Sequence, residues 1–127
     1  MNVAYCPCGS GRSVEACCGR FLSGEPAPDA ESLMRSRYCA FVLGREDYLQ
    51  ATWHPDTRPA DLGMKATPAP QWLGLAIQSH TPLDDHHAMV EFIARYKLNG
   101  RAFKLHETSR FERVDGRWLY VDGESHE

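Results

Sequence analysis

Four of the chain's five cysteines lie between residues 6 and 18, as Cys6-Pro7-Cys8 and Cys17-Cys18. Two close-spaced thiol pairs joined by a short loop can close a tetrahedron around one soft cation, with metal–sulfur bonds of about 2.3 Å. Pro7 stiffens the first turn, and Gly9, Ser10 and Gly11 let the backbone bend and aim amides at thiolate sulfur. Ser13 can cap a short helical turn, Val14-Glu15-Ala16, that delivers the second pair. A disulfide staple would need an oxidising compartment, and a redox dithiol would more typically read Cys-x-x-Cys beside a βαβ unit. The expectation is zinc on Cys6, Cys8, Cys17 and Cys18. With cysteine at every corner no position is left for water, so the ion is expected to be structural, not catalytic. Cys39, outside the cluster, reads as an inert buried thiol.

A second chemical feature is a carboxylate on an apolar strand face. Phe103, Leu105, Glu107, Ser109 and Phe111 alternate, so Glu107 should point at the core. An inward carboxylate must be paired, hydrogen-bonded or shifted in pKa. Arg35, Arg37, Tyr38 and His54 are the candidate partners, and Tyr38, Trp53, His54, Glu107 and Ser109 are the candidate pocket residues. Three readings stand: a structural lock between helix and sheet, a ligand anchor or acid–base group, or an exposed Glu107 if a bulge shifts the register. His54, beside Pro55, suits capping or packing; Trp53, Tyr38 and Phe41 suit a core. His86-His87, after Asp84-Asp85, reads as a solvated turn.

The elements that must position these groups follow from periodicity. After the turn-rich Ser23-Gly24-Glu25-Pro26-Ala27-Pro28, Asp29 can cap a helix with Leu33, Met34, Tyr38, Phe41 and Val42 on its apolar face and Gly44 at its end. A second helix is expected from about Glu46 to Trp53, stopped at His54-Pro55. Residues 55–71 hold four prolines and read as an irregular crossing. Strands follow at Trp72–Gln78, at His86–Leu98 with alternating Ala88, Val90, Phe92, Ala94, Tyr96 and Leu98, through Phe103–Phe111, and at Trp118–Val121. Asn99-Gly100 and Asp115-Gly116 are type I′ hairpin signals. Helices followed by an antiparallel meander of about four strands make an α+β domain.

The chain has 127 residues, 43% hydrophobic content and a formal charge of −3. One domain with a small appendage fits that length. Four thiolates around a divalent ion would take the charge to about −5, so duplex nucleic acid is not an expected partner. No apolar stretch approaches the roughly 18–20 residues that span a bilayer, so no membrane is expected either. Met1 to Tyr5 show no basic start and no apolar run, which makes a cytoplasmic setting the expectation.

Residues 6–19 resemble the SEC-C motif, the zinc-binding tail pattern of the preprotein translocase ATPase, which implies the same four ligands. The spacer, Arg12-Ser13-Val14-Glu15-Ala16, is less basic than that pattern and does not carry over a basic docking surface. The helix-then-meander order resembles the NTF2-like cone, a curved sheet wrapped around a helix. Nearly the whole chain is similar to the bacterial YchJ family, through the SEC-C run, Leu33-Met34-Arg35-Ser36-Arg37-Tyr38, Tyr48-Leu49 with Trp53-His54-Pro55, and His106-Glu107 with Ser109-Arg110-Phe111. The resemblance implies a zinc knuckle over residues 1–22, an NTF2-like domain over 23–127, and no particular reaction.

Two functional classes follow. In the first, the chain is a non-enzymatic adaptor whose knuckle docks on a protein or ribosomal surface. In the second, the cone binds a small molecule, or acts as a weak isomerase or dehydratase, around Glu107. The first is preferred on sequence, because no nucleophile–base pairing, phosphate loop or open metal site is recognisable and no catalytic residue is assigned.

Overall fold

A computed structural model describes residues 5–62 and 69–126; the stretch between them, part of the expected crossing segment, lies outside the described residues. Three helices, α1 (Cys18–Leu22), α2 (Ala30–Leu43) and α3 (Glu46–Ala51), precede four strands. These are β1 (Gln71–Pro82), β2 (His87–Leu98), β3 (Arg101–Val114) and β4 (Arg117–Ser125). The strands form one antiparallel sheet in chain order.

Local chemistry explains the boundaries. The Asp29 carboxylate accepts from Ser32 N at 2.7 Å, and Gly44 ends α2 in the left-handed region at φ 72°. Both hairpins carry two residues at positive φ, Asn99 and Gly100 then Asp115 and Gly116, as a type I′ turn requires. The helix α3 stops at Ala51, two residues short of the expected Trp53. Thr52 O accepts from Tyr120 N and His54 N donates to Tyr120 O, so the backbone leaves the helix to join β4 before Pro55 could stop it.

The core lies between α2 and the inner face of the sheet. Leu33, Met34, Tyr38 and Cys39 meet Ala88, Val90, Phe92 and Ala94 of β2 and Phe111 of β3. Val42 departs from expectation: it is exposed, while Phe41 packs against Trp72, because the sheet touches one side of α2 only. The expected turn at His86-His87 is an exposed one; His87, where β2 begins, holds its Nδ1 2.9 Å from the Asp84 carboxylate.

A bulge divides β4. Phe111 pairs with Tyr120, but Arg110 pairs with Asp122, so Val121 is the extra residue. Beyond it Ser109 faces Gly123 and Glu107 faces Ser125. The bulge leaves Glu107 on the inner face with Ser109 and Phe111, as the alternation predicts.

Candidate functional site

Two buried groups of polar side chains stand out. The first is the cysteine cluster. Cys6 N donates to Arg12 O at 2.8 Å, and Gly9 and Gly11 take positive φ, which folds residues 6–12 into a tight loop. Ser13 Oγ accepts from Ala16 N, giving the capped turn that leads Cys17 and Cys18 into α1. Gly19 admits a close pass, since a Cβ there would meet Val14 O at 2.6 Å. The four cysteines are buried, with donor sulfurs all within 4.8 Å of one another.

Cys8 and Cys17 sulfurs lie 3.7 Å apart and those of Cys17 and Cys18 3.9 Å apart. A tetrahedral ion with metal–sulfur bonds of about 2.3 Å needs edges of about 3.8 Å, so the donor set fits a four-thiolate metal. Ser10 Oγ adds a hydrogen bond to Cys17 Sγ at 3.2 Å. The electrostatics agree. A hydrogen bond from Cys18 drives the Cys8 thiol far down, and thiol contacts with Cys39 and Cys8 push Cys18 far up. Four thiolates at this spacing repel one another, so holding all four ionised needs a cation. Cys39 is buried as expected, but it touches the cluster: its sulfur is 3.4 Å from that of Cys6. Arg35 also belongs here, donating to Cys8 O at 3.0 Å and pairing with Glu31, and does not reach Glu107.

The second group lines a cavity of about 260 Å³ between α2 and the inner sheet face. Tyr38, Phe41, Trp53, Trp72 and Tyr120 supply aromatic walls, and Arg37 and Glu107 supply the charges. Arg37 is 2% exposed. Its Nη1 donates to Leu49 O at 3.0 Å and Thr52 Oγ1 at 2.7 Å, and its guanidinium lies over the rings of Trp53 and Tyr120. None of these partners is a carboxylate. Burial lowers its pKa to about 10, so it stays a cation at neutral pH. Burial, and then the nearby Glu107 charge, push Tyr120 up to about 12, so it stays a neutral phenol.

Glu107 accepts from Ser109 Oγ at 2.7 Å and lies over Gly123, where a Cβ would meet its Oε2 at 2.5 Å. Tyr38 and Trp53 share the cavity wall with Glu107, and among the described residues the buried Trp53 Nε1 meets no acceptor. Ser109 reaches the site through Glu107. His54 is placed elsewhere, between Asp56 and Glu112.

Sequence reasoning missed Tyr120 and Gly123. Counting outward from the Asp115-Gly116 turn would have found Tyr120 opposite Phe111, but no residue signals the bulge that sets Gly123 under Glu107.

Comparison with known proteins decides the kinship. Residues 29–123 match the family model for the YchJ middle NTF2-like domain. The chain belongs to the YchJ family. A UPF0225 protein of Bordetella parapertussis is 56% identical over 126 residues, covering 97% of this chain and 94% of that one. The solution structure of a SEC-C motif containing protein from Rhodopseudomonas palustris superposes with a TM-score of 0.87 at 34% identity, covering all of both chains. A crystal structure of a SEC-C motif containing protein from Psychrobacter arcticus gives 0.80 at 29% identity, over 96% of this chain and 82% of that one. Among the described residues of this YchJ protein, no helix is long and apolar enough to cross a membrane.

Proposed function

We propose that this YchJ protein is a small-molecule binder whose cone takes a flat, largely apolar ligand, and that the four cysteines hold one zinc ion as a structural fastening. The observation that carries the ligand reading is the pairing of Arg37 and Glu107 on one aromatic cavity. Arg37 is bonded only to neutral oxygens and ring faces, and the Glu107 charge acts on it across the cavity without a direct bond, so neither charge is directly paired. A ligand oxygen can pair with Arg37, and a ligand hydroxyl can donate to Glu107, while the rings stack on the apolar body. Small hydroxylated aromatic carboxylates have that chemistry.

Zinc bound to the cluster supplies a closed, redox-inert crosslink. Cys6, Cys8, Cys17 and Cys18 hold it, Ser10 and the backbone amides of Cys8 and Cys18 support the sulfur charge, and Arg35 ties the loop to α2.

The experiment uses 4-hydroxybenzoate as the probe, followed through the indole N–H resonances of Trp53 and Trp72. Saturable shifts in the parent chain, lost in both Arg37→Met and Glu107→Gln, are expected. No shift at millimolar probe, or shifts that survive both substitutions, would overturn the ligand reading.

The adaptor reading keeps one favourable observation: Arg12, Glu15 and Arg20 of the knuckle are exposed, with Arg20 paired to Glu25. Since the cysteines share the core cluster with α2, deleting residues 1–22 is a poor test. Reversing Arg12 and Arg20 to Glu tests it better, and co-sedimentation with ribosomes unchanged by that reversal would count against ribosomal docking.

A further inference from the structure

The outer face of the sheet carries a group of donors that neither the cone nor the cysteine cluster uses. Glu91 of β2 and His106 of β3 are diagonal neighbours there, since Glu91 pairs with Thr108 and Ile93 with His106. Glu91 Oε2 lies 2.6 Å from His106 Nε2. His126, just past β4, is pinned beside them by a backbone hydrogen bond to His106 O at 2.8 Å. Its ring stacks on that of His106 at 4.3 Å, with 18° between the planes, and its Nε2 is 2.6 Å from Thr108 Oγ1.

We propose that Glu91, His106 and His126 form a second metal site, for a divalent first-row transition ion. Two imidazoles and one carboxylate are the donor types such borderline ions prefer. One donor atom from each lies within 4.8 Å of the others. Three separate segments converge on the spot, so the backbone has already ordered most of what an ion would otherwise have to order. Metal–nitrogen bonds of about 2.0 Å need donors about 3.3 Å apart, which the exposed His126 reaches by rotating off His106. Glu91 and His106 are only half-buried, so solvent or a ligand can fill the outward coordination positions. Of the cations on this face, Arg110 is engaged by Asp122 and Glu124, and Lys104, two residues from His106 along β3, is the one an incoming ion must tolerate.

The site differs in kind from the cysteine cluster. It offers nitrogen and oxygen, faces outward and leaves coordination positions open, so it should exchange metal at micromolar concentrations while the thiolate site keeps its own.

The test is titration of the full chain, holding its one zinc, with Ni²⁺, followed by calorimetry and by paramagnetic broadening of histidine resonances. One further equivalent is expected, broadening His106 and His126, with zinc content unchanged. His126→Asn and His106→Asn should each weaken it at least tenfold, and Glu91→Gln several-fold. The double variant His86→Asn with His87→Asn, which removes the other exposed imidazole pair, should leave it unchanged. Absence of a second equivalent, its survival without His126, or its loss in the His86/His87 variant would each overturn the site. Should His106→Asn fail to fold, the exposed His126→Asn decides the question by itself.

Discussion

The cysteine cluster and the cone both bury charge, and they do so in opposite ways. The cluster gathers its four sulfurs from one short stretch of chain into a set that one metal ion from outside would fit. The cone draws Arg37 from α2, Glu107 from β3, Trp53 from beyond α3 and Tyr120 from β4, and both its charges belong to the chain. The cluster's four sulfurs are spaced for one closed tetrahedron, with the Cys39 thiol packed against it. The cone is unfinished, with a cation on neutral partners, a carboxylate on one hydroxyl, and empty volume between aromatic rings. On the proposed reading, closed polarity fastens the fold and unfinished polarity invites a ligand.

The most forceful way to break that comparison is at the cluster. Cys8→Ser should lose the metal and lower stability by at least about 3 kcal/mol, because the binding energy is folding energy. Metal content per chain and urea unfolding read it directly. In the parent chain, a cobalt-exchanged sample should show a thiolate-to-metal charge-transfer band. A Cys8→Ser chain with a full equivalent of metal and parental stability would make the cluster no more structural than the cone. A smaller change is expected at Gly123→Ala. The new methyl displaces the Glu107 carboxylate and breaks its bond from Ser109, at about 1 kcal/mol, and 4-hydroxybenzoate binding should go with it. Urea unfolding beside the probe titration separates the two effects.

The same contrast explains what the sequence made legible. The cluster could be read from spacing, because ligand geometry is local and Cys6, Cys8, Cys17 and Cys18 sit in one loop and turn. The sheet could be read as far as alternation and two-residue turns carried it, which placed Glu107 inward with Ser109 beside it. Arg37 stood among four possible partners, and only the packing of α2 separated it from Arg35, two residues earlier and turned to Cys8 O. His54 was drawn away by Asp56 and Glu112, and the end of α3 was set by hydrogen bonds to Tyr120, sixty-odd residues on in the chain. The contact of Cys39 with Cys6 was equally out of reach, since it depends on how the knuckle lies against α2. Long-range packing, not propensity, decided each of these.

Glu107→Gln sharpens the comparison from the side of the cone. The amide oxygen can still accept from Ser109, so a structural lock would survive with stability within about 1 kcal/mol of the parent. Probe binding should nevertheless fall, because a neutral amide attracts a ligand hydroxyl less than a carboxylate does. A variant equal to the parent in both respects would reduce Glu107 to a filler.

The smallest effect is expected on the outer face beside the bulge, where Arg110 Nε lies 2.6 Å from Asp122 Oδ1. The hydrogen bond from Arg110, and then its charge, hold the Asp122 carboxyl below its ordinary value of 3.8. A carboxyl whose pKa is lower in the folded chain binds fewer protons there than in the unfolded chain. The stability it contributes is therefore fully present above pH 3.8 and is lost as the pH falls through the folded-state value. Both side chains are largely exposed, so solvent screens the pair. Asp122→Asn should give a slight fall in melting temperature at neutral pH that high salt erases and that disappears in acid. A large fall that persists in acid would mean that Asp122 holds the bulge by the fit of its side chain and not its charge. The outer face would then fasten the cone's register, a role the comparison reserves for the cysteines.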